Sequence, residues 1–433
     1  MKFIIIFLLF VFKINVISAE EFLTYLESAY KNNPILNAER ENYKAIKENI
    51  NISRSEFLPS ISISGSQSSQ QNSNRTDQAG IALSESSNNS ETQSVSVDQK
   101  IFQGFQGYNS IKKSKLETEQ AALKLKNIEQ QTLLKSAIAY YDLIYKTKNT
   151  QFNLVNVDLF ERQVETDSSR LQKGEITLTD LAQSESSLAG ANAKFIAAET
   201  ELLTTKSNFE RIIRIPAPEK LTTDNFKKNI SLNFPTTLSV ALSFSEKNNP
   251  KLLLAKLEYE ISEKNVNIEI SKFSPSASMN YTQSQSKDFS SSVDEIDQES
   301  LKATVTIPIF KGGKNYSSLK KAKFKKKQNS LILQDTVNEV KTDTANSWSG
   351  YQSSKSVFKA TKAQVKAAEI ANEGITLEYD SGNTRTTLEV IQSRSLLLEA
   401  RISNAIAERN LAISKFELLA VIGELTLENL KKS

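Results

Sequence analysis

The sequence predicts a helix-dominated chain that carries four membrane-type β-strands and is laid out as two copies of one plan. Three observations predict it. Short motifs recur at a nearly fixed offset, two helix-forming stretches are too long for a globular core, and four short segments hold their apolar residues on odd numbers.

The repeat comes first because it organises the rest. Asn32-Asn33-Pro34 returns as Asn248-Asn249-Pro250, and Phe57-Leu58-Pro59-Ser60 as Phe273-Ser274-Pro275-Ser276, both 216 residues later. Ile101-Phe102-Gln103-Gly104 returns as Ile309-Phe310-Lys311-Gly312, and Gly174 as Gly382, both 208 residues later. The eight-residue difference falls between Pro59 and Phe102, so that segment holds a loop of variable length within a fixed frame. The expected organisation is a signal peptide at 1–19, a first repeat at 20–215, a linker at 216–240, a second repeat at 241–423 and a tail at 424–433. Each repeat holds a strand hairpin, at 58–103 and 275–310, followed by long helices at 104–213 and 314–422.

The helices follow from what is missing. No glycine occurs from Tyr108 to Lys173, a stretch rich in Lys, Glu, Gln, Leu and Ala. As one helix it would run roughly 100 Å at ~1.5 Å per residue. Ile138, Tyr145, Phe152 and Leu159 keep seven-residue spacing, with Leu134, Tyr141 and Val155 on the adjoining seam, which predicts coiled-coil packing. After a turn at Gly174, Leu178–Ile213 reads as a returning helix; Ser317–Tyr379 and Thr387–Ile422 repeat the plan around Gly382.

The strands follow from parity. Ile61, Ile63, Val95, Val97, Ile101, Ala277, Met279, Tyr281, Leu301, Ala303, Val305, Ile307 and Ile309 are odd, and Ser, Thr, Asn, Asp and Lys fill the even positions between them. Alternation of this kind gives a strand one apolar and one polar face. The segments pair as two hairpins with polar loops around Asn72–Asn89 and Lys287–Asp297. Phe102, Phe105 and Phe310, at the strand-to-helix junctions, read either as an interfacial girdle or as packing residues. Four strands cannot close, whereas a membrane barrel needs at least ~8 strands to leave no edge. A membrane version must therefore combine chains, and three give twelve strands with room for a pore.

Composition bounds the chemistry. Lys2, the apolar run Phe3–Phe12 and Ile17-Ser18-Ala19 read as a secretory signal, since Lys13 interrupts the run before it could span a bilayer. Without cysteine or histidine, thiol nucleophiles, Ser-His triads and zinc sites are excluded. The formal charge of +4 falls to +2 once Lys2 and Lys13 leave, which names no partner. The lysine run Lys320–Lys327 lacks the aromatic interleaving of a nucleic-acid site, and reads as a solvated face or as a patch drawn to lipid headgroups.

The two Asn-Asn-Pro motifs, Leu58-Pro59, Ser274-Pro275, Ile307-Pro308-Ile309-Phe310-Lys311-Gly312-Gly313, and above all the turns Gly174–Asp180 and Tyr379–Glu389 resemble those of the TolC family of outer-membrane efflux and secretion channels. The resemblance covers essentially the whole mature chain. It implies a homotrimeric α/β-barrel of twelve strands and twelve helices, with four strands and four helical staves per chain. Such a protein is no enzyme and needs no cofactor or metal. It is an outer-membrane exit duct with a long periplasmic extension, serving tripartite efflux or type I secretion beside a periplasmic adaptor and an inner-membrane pump, in contact with outer-membrane lipid and not with nucleic acid. The linker and tail would form an equatorial girdle. A secreted, elongated coiled-coil protein of adhesin type is the alternative, although it leaves the four odd-parity strands unexplained.

By motif, the resemblance places a gate latch at Thr179, Asp180, Tyr379 and Arg385, and adaptor docking at the Gly174 and Gly382 turns. An Asp that accepts from a tyrosine hydroxyl and an Arg can hold neighbouring helices together. Asp180 could equally be a helix-start residue. Glu389 and Gln392 fall where the family carries two acids at the pore entrance; one ring of carboxylates would favour cations through a weaker field. Gly174 to Asp180 is six residues and Gly382 to Glu389 seven, which leaves the register of Arg385 and Glu389 open by one position.

Overall fold

The computed structural model describes residues 18–218, 234–290, 293–381 and 385–431. Most of the expected signal segment, Gly382 and most of the 216–240 segment lie outside these residues. Elements follow in the order α1 (Ser18–Asn32), α2 (Pro34–Ser55), β1 (Ser60–Asn72), β2 (Arg75–Thr76), β3 (Ala82–Leu83), β4 (Ser86–Gln103), α3 (Gln106–Gln172) and α4 (Leu178–Ile213). Then come α5 (Leu238–Asn248), α6 (Pro250–Ser271), β5 (Ser276–Ser290), β6 (Val293–Thr306), α7 (Lys314–Asp380), α8 (Thr387–Val421) and α9 (Leu427–Lys431). Among the described residues no helix is long and apolar enough to cross a membrane. The chain divides into a unit of Met1–Arg40, Leu125–Leu253 and Val337–Ser433, and a unit of Glu41–Lys124 and Leu254–Thr336.

In the first unit the helices close on an aromatic core. Phe22, Tyr25 and Leu26 of α1 meet Leu133, Tyr140 and Leu143 of α3, Phe209 and Ile213 of α4, and Phe416, Leu418 and Leu419 of α8. The Tyr25 and Phe209 rings meet edge to face at 5.3 Å, and Trp348 and Tyr351 pack against the cluster. The C-terminal segment joins this core through Leu425 and Leu430, both fully buried, and Lys431 pairs with Glu27 at 2.8 Å.

The Asn-Asn-Pro motifs are helix starts. Asn33 Oδ1 accepts from the Ile35 and Leu36 amides at 2.9 and 3.2 Å, and Asn249 Oδ1 accepts from Leu252 at 3.1 Å. In each case Pro opens the next helix, where its missing N–H costs nothing. Asn249 Nδ2 also donates to the Val421 carbonyl at 2.7 Å, fastening the end of α8. There Gly423, at φ +79, passes so close to Asn248 that a Cβ would lie 2.1 Å from its carbonyl oxygen. Only glycine fits both the dihedral and the gap.

α3 buries part of the seam its apolar heptads suggest, with Tyr141 in the core and Leu134 and Ile138 packed against it. Ile138, Tyr145, Phe152 and Leu159 are half-buried in one chain and Val155 is exposed, whereas Ala137, Tyr140 and Ile144 are buried. Beyond Lys148 the buried seam becomes Asn153, Asn156, Phe160, Gln163 and Asp167. Their three- and four-residue steps are those of a coiled-coil seam filled mostly with polar side chains.

In the second unit the strands form one antiparallel sheet in the order β1-β4-β5-β6, leaving β1 and β6 as edges. Ile61, Val97, Tyr281 and Leu301 share one register row across all four strands. A bulge between Lys100 and Phe102 sets Phe102 opposite Ala277. It thereby moves an even-numbered residue onto the apolar face. The strands run well into the stretches expected to be loops: β4 begins at Ser86 and β5 continues to Ser290. Strands with polar residues on both faces have no alternation to read. The remaining first loop carries a small ribbon of β2 and β3 around the Asp77 turn.

Candidate functional site: a membrane-facing sheet and a buried carboxylate hub

Exposure along the sheet is the reverse of that in a soluble half-buried strand. Apolar positions on the edge strands stand open, with Ile63 81% and Leu301 69% exposed, and Val97 and Tyr281 on the central strands are half-buried. The polar Ser94, Ser96, Thr282 and Ser284 of those central strands are half-buried and Ser286 is buried, whereas the serines of β1 are exposed. Among the described residues no helix makes an extensive contact with either face of the sheet. Hydroxyls join across its polar face: Ser64 to Ser94 at 2.8 Å, Thr92 to Ser286 at 2.9 Å and Ser96 to Thr282 at 3.3 Å. The apolar track from Leu301 to Ile309 spans roughly 27 Å of extended chain at ~3.4 Å per residue. That suits the ~25 Å apolar band of a membrane barrel whose strands are tilted. Phe105 and Phe310, 68% and 82% exposed, stand at the surface at its helical end.

The two return helices start alike. At Gly174, φ +74, α3 closes by a Schellman motif in which Gly174 N–H donates to Leu171 O and Glu175 N–H to Arg170 O, both at 2.9 Å. Thr177 then caps α4 in a capping box: Asp180 N–H donates to Thr177 Oγ1 at 3.3 Å, and Asp180 Oδ2 accepts from the Thr177 amide and hydroxyl at 2.9 and 2.7 Å. Thr386 and Glu389 build the same box on α8. Asp180 and Glu389 are thus structural counterparts, each three residues after its capping threonine. Bonds from Thr177 hold the Asp180 carboxyl below its usual range. Glu389 is lowered first by Thr386 and then by Arg385, which donates to it at 2.9 Å and to Glu378 at 2.6 Å. Thr179 and Gln392 are exposed.

Within one chain the structure does not bring Asp180 to Tyr379. The Tyr379 hydroxyl donates to Asp167 Oδ1 at 2.7 Å and lies 3.1 Å from Thr387 Oγ1. Asp167 is fully buried, accepting from Gln163 Nε2 at 2.9 Å on the same oxygen and from Ser184 Oγ at 2.5 Å on the other. One carboxylate thus ties α3 to α4 and α7, and through Thr387 to α8. Arg170 lies over the Tyr379 ring at 4.5 Å, and Arg394 reaches the Leu159 carbonyl at 3.1 Å. Burial lowers Arg394 despite Asp380 and Asp167 nearby, and raises the Tyr379 phenol, which keeps it a neutral donor.

The hub is finely balanced. Three bonds to a charged acceptor contribute about 1.5–3 kcal/mol each. Burying a carboxylate with no cation in contact costs several kcal/mol. Losing one partner is enough to tip such a site. Sequence reasoning missed Asp167 because an acid within a long charged helix reads as solvated. The signal was present in the seven-residue spacing Asn153, Phe160, Asp167.

A sheet with an exposed apolar face and hydroxyls paired across the other, in a chain with hydrogen-bonded helix ends, is that of a membrane-channel subunit. A family model for outer membrane efflux proteins matches residues 25–213 and 241–424, and the chain belongs to that family. Outer membrane efflux protein BepC of Brucella suis is 25% identical over 406 residues, covering 94% of this chain and 86% of its own length. Outer membrane protein TolC of Vibrio cholerae is 23% identical over 415 residues, covering 94% and 92%. The crystal structure of outer membrane protein VceC from Vibrio cholerae shares the fold at a TM-score of 0.77 and 16% identity, covering 93% of this chain and 96% of that one.

Proposed function

We propose that three copies of this chain close a twelve-stranded barrel and form a passive, gated exit duct across the outer membrane. The carrying observation is the inverted sheet: an outward apolar face and two unpaired edges, β1 and β6, are satisfied together only by a lipid-facing closed ring. Two copies would give eight strands, an interior filled by side chains; three leave a lumen. A periplasmic adaptor docks at the Gly174 and Gly382 turns and couples the duct to an inner-membrane pump for efflux or type I secretion.

The gate is the polar set at the helix turns. Tyr379 is held by Asp167 of its own chain, and breaking that bond frees α7 and α8 from α3 and α4. Thr179, Asp180 and Arg385 lie at the chain surface, so any link they make to the latch is to a neighbouring copy. At the entrance, Glu389 is committed to its cap and to Arg385, and Gln392 is neutral, so cation preference is slight.

Single-channel conductance in planar bilayers tests this reading. Wild type should pass small currents. Tyr379→Phe, which removes one hydroxyl and about 1–3 kcal/mol of hub stability, should raise them several-fold. A rise confined to Asp180→Ala with Arg385→Ser would move the latch to the neighbouring copy, and folded oligomers that never conduct would sink the duct.

A further inference from the structure

One motif of the second unit is written in both repeats and used by neither the duct nor the gate. At the 208-residue offset, Tyr108, Lys112, Lys113 and Lys115 at the start of α3 recur as Tyr316, Lys320, Lys321 and Lys323 at the start of α7. The surrounding sequence has diverged: Glu117 and Glu119 in the first copy stand where the second has Lys325 and Lys327. Both copies sit in acid-free sequence. No Asp or Glu occurs between Asp98 and Glu117, or between Glu299 and Asp335, and the second interval holds nine lysines.

The placement is directly beyond the apolar face. Ile309, 94% exposed, and Phe310, 82% exposed, end the outward apolar track, and α7 begins four residues after Phe310. Lys112 and Lys320 each lie six residues into their helix, roughly 9 Å along it. Tyr108 and Tyr316 are 53% and 68% exposed, and Lys112 stands over the Tyr108 ring at 4.3 Å. Lys112, Lys320, Lys321 and Lys323 are exposed and form no salt bridge among the described residues; Lys113 reaches Glu117 at 3.5 Å. An exposed aromatic one turn before an exposed lysine, just outside an apolar band, is the arrangement of a headgroup layer.

We propose that these two Tyr-Lys-Lys clusters bind the phosphates of anionic glycerophospholipid in the leaflet on the helical side of the barrel, with the tyrosines at the carbonyl level and the lysines pairing the phosphates. The screening length of ~8–10 Å sets the reach. Lys112, Lys113, Lys320 and Lys321, roughly 9–11 Å along their helices, stand at its limit, whereas Lys323, Lys325 and Lys327, roughly 14–20 Å along α7, lie beyond it. Lys326 is already paired with Glu263 at 2.7 Å. Of the basic run, Lys320 and Lys321 therefore carry the recognition of lipid.

The test uses the full-length protein in vesicles of phosphatidylethanolamine, phosphatidylglycerol and lipopolysaccharide, extracted in mild detergent, with retained lipid quantified by mass spectrometry. Wild type should retain phosphatidylglycerol in preference to the zwitterionic lipid. That preference should fall about fivefold for each lysine lost in the series Lys112→Gln, Lys113→Gln, Lys320→Gln and Lys321→Gln, and vanish for wild type in high salt. Lys325→Gln with Lys327→Gln should leave it unchanged, and wild-type conductance in every variant certifies the fold. No preference in wild type, equal loss in the distal pair, an unchanged preference in the proximal series, or preferential retention of lipopolysaccharide would each overturn the proposal.

Discussion

The two units invert one another. In the helical unit Phe209, Leu26 and Leu418 are fully buried, and the buried Asp167 carboxylate accepts from Gln163, Ser184 and Tyr379. In the sheet unit Ile63, Leu301 and Val305 are exposed, while Ser94, Ser96 and Ser284 on the central strands are half-buried and Ser286 is buried. One chain holds both because apolar surface is driven out of water, and where the surrounding medium is hydrocarbon the outside is the dry side. The comparison teaches that burial alone does not identify a core; the solvent on each face must be named.

Two substitutions separate the two regimes. Phe209→Ala should have the largest effect, destabilising the helical unit by about 3–5 kcal/mol, read as a lower midpoint in thermal unfolding followed by helical circular dichroism. Leu301→Arg should cost about 2–4 kcal/mol per copy in lipid, cutting insertion into vesicles while leaving the helical transition in place. If Leu301→Arg inserts normally, the exposed apolar face does not meet lipid.

The smallest effect concerns pH. The carboxyls of Asp180 and Glu389 sit below their unfolded values, so their capping contribution is present above the unfolded pKa and is lost only as pH falls through the lower folded value. The α4 and α8 starts should stay intact through mild acid and fray only below the ordinary carboxylate range. Amide exchange at Asp180 and Glu389 would show it; fraying already near pH 6 would contradict the capping boxes.

Much of this was legible in the chain. The odd-number parity located the four strands of the main sheet because a lipid-facing stretch of strand keeps its apolar residues on one face. The limits of α4 could be read because Gly174 and Asp180 punctuate its start and Pro216 follows its end. Strand length was not legible: from Ser66 to Gln71 and from Ser86 to Ser94 both faces are polar, and a hydrogen-bond ladder leaves no trace in hydropathy. Nor was the hub, since the partner of Tyr379 is chosen by a three-dimensional seam in which Asp167, thirteen residues before the motif Asp180, happens to be enclosed.

The open edges of the sheet differ in charge, and this bears on how copies meet. β1 carries no ionisable residue over Ser60–Asn72, whereas β6 carries Asp294, Glu295, Asp297 and Glu299 against the single Lys302. Two β6 edges laid together would set acid against acid. The neutral edge imposes no such penalty on a charged partner. Charge therefore disfavours a contact between two β6 edges and leaves a contact between β6 and the neutral β1 unpenalised, which is the unlike-edge, head-to-tail kind of pairing that rings are made of.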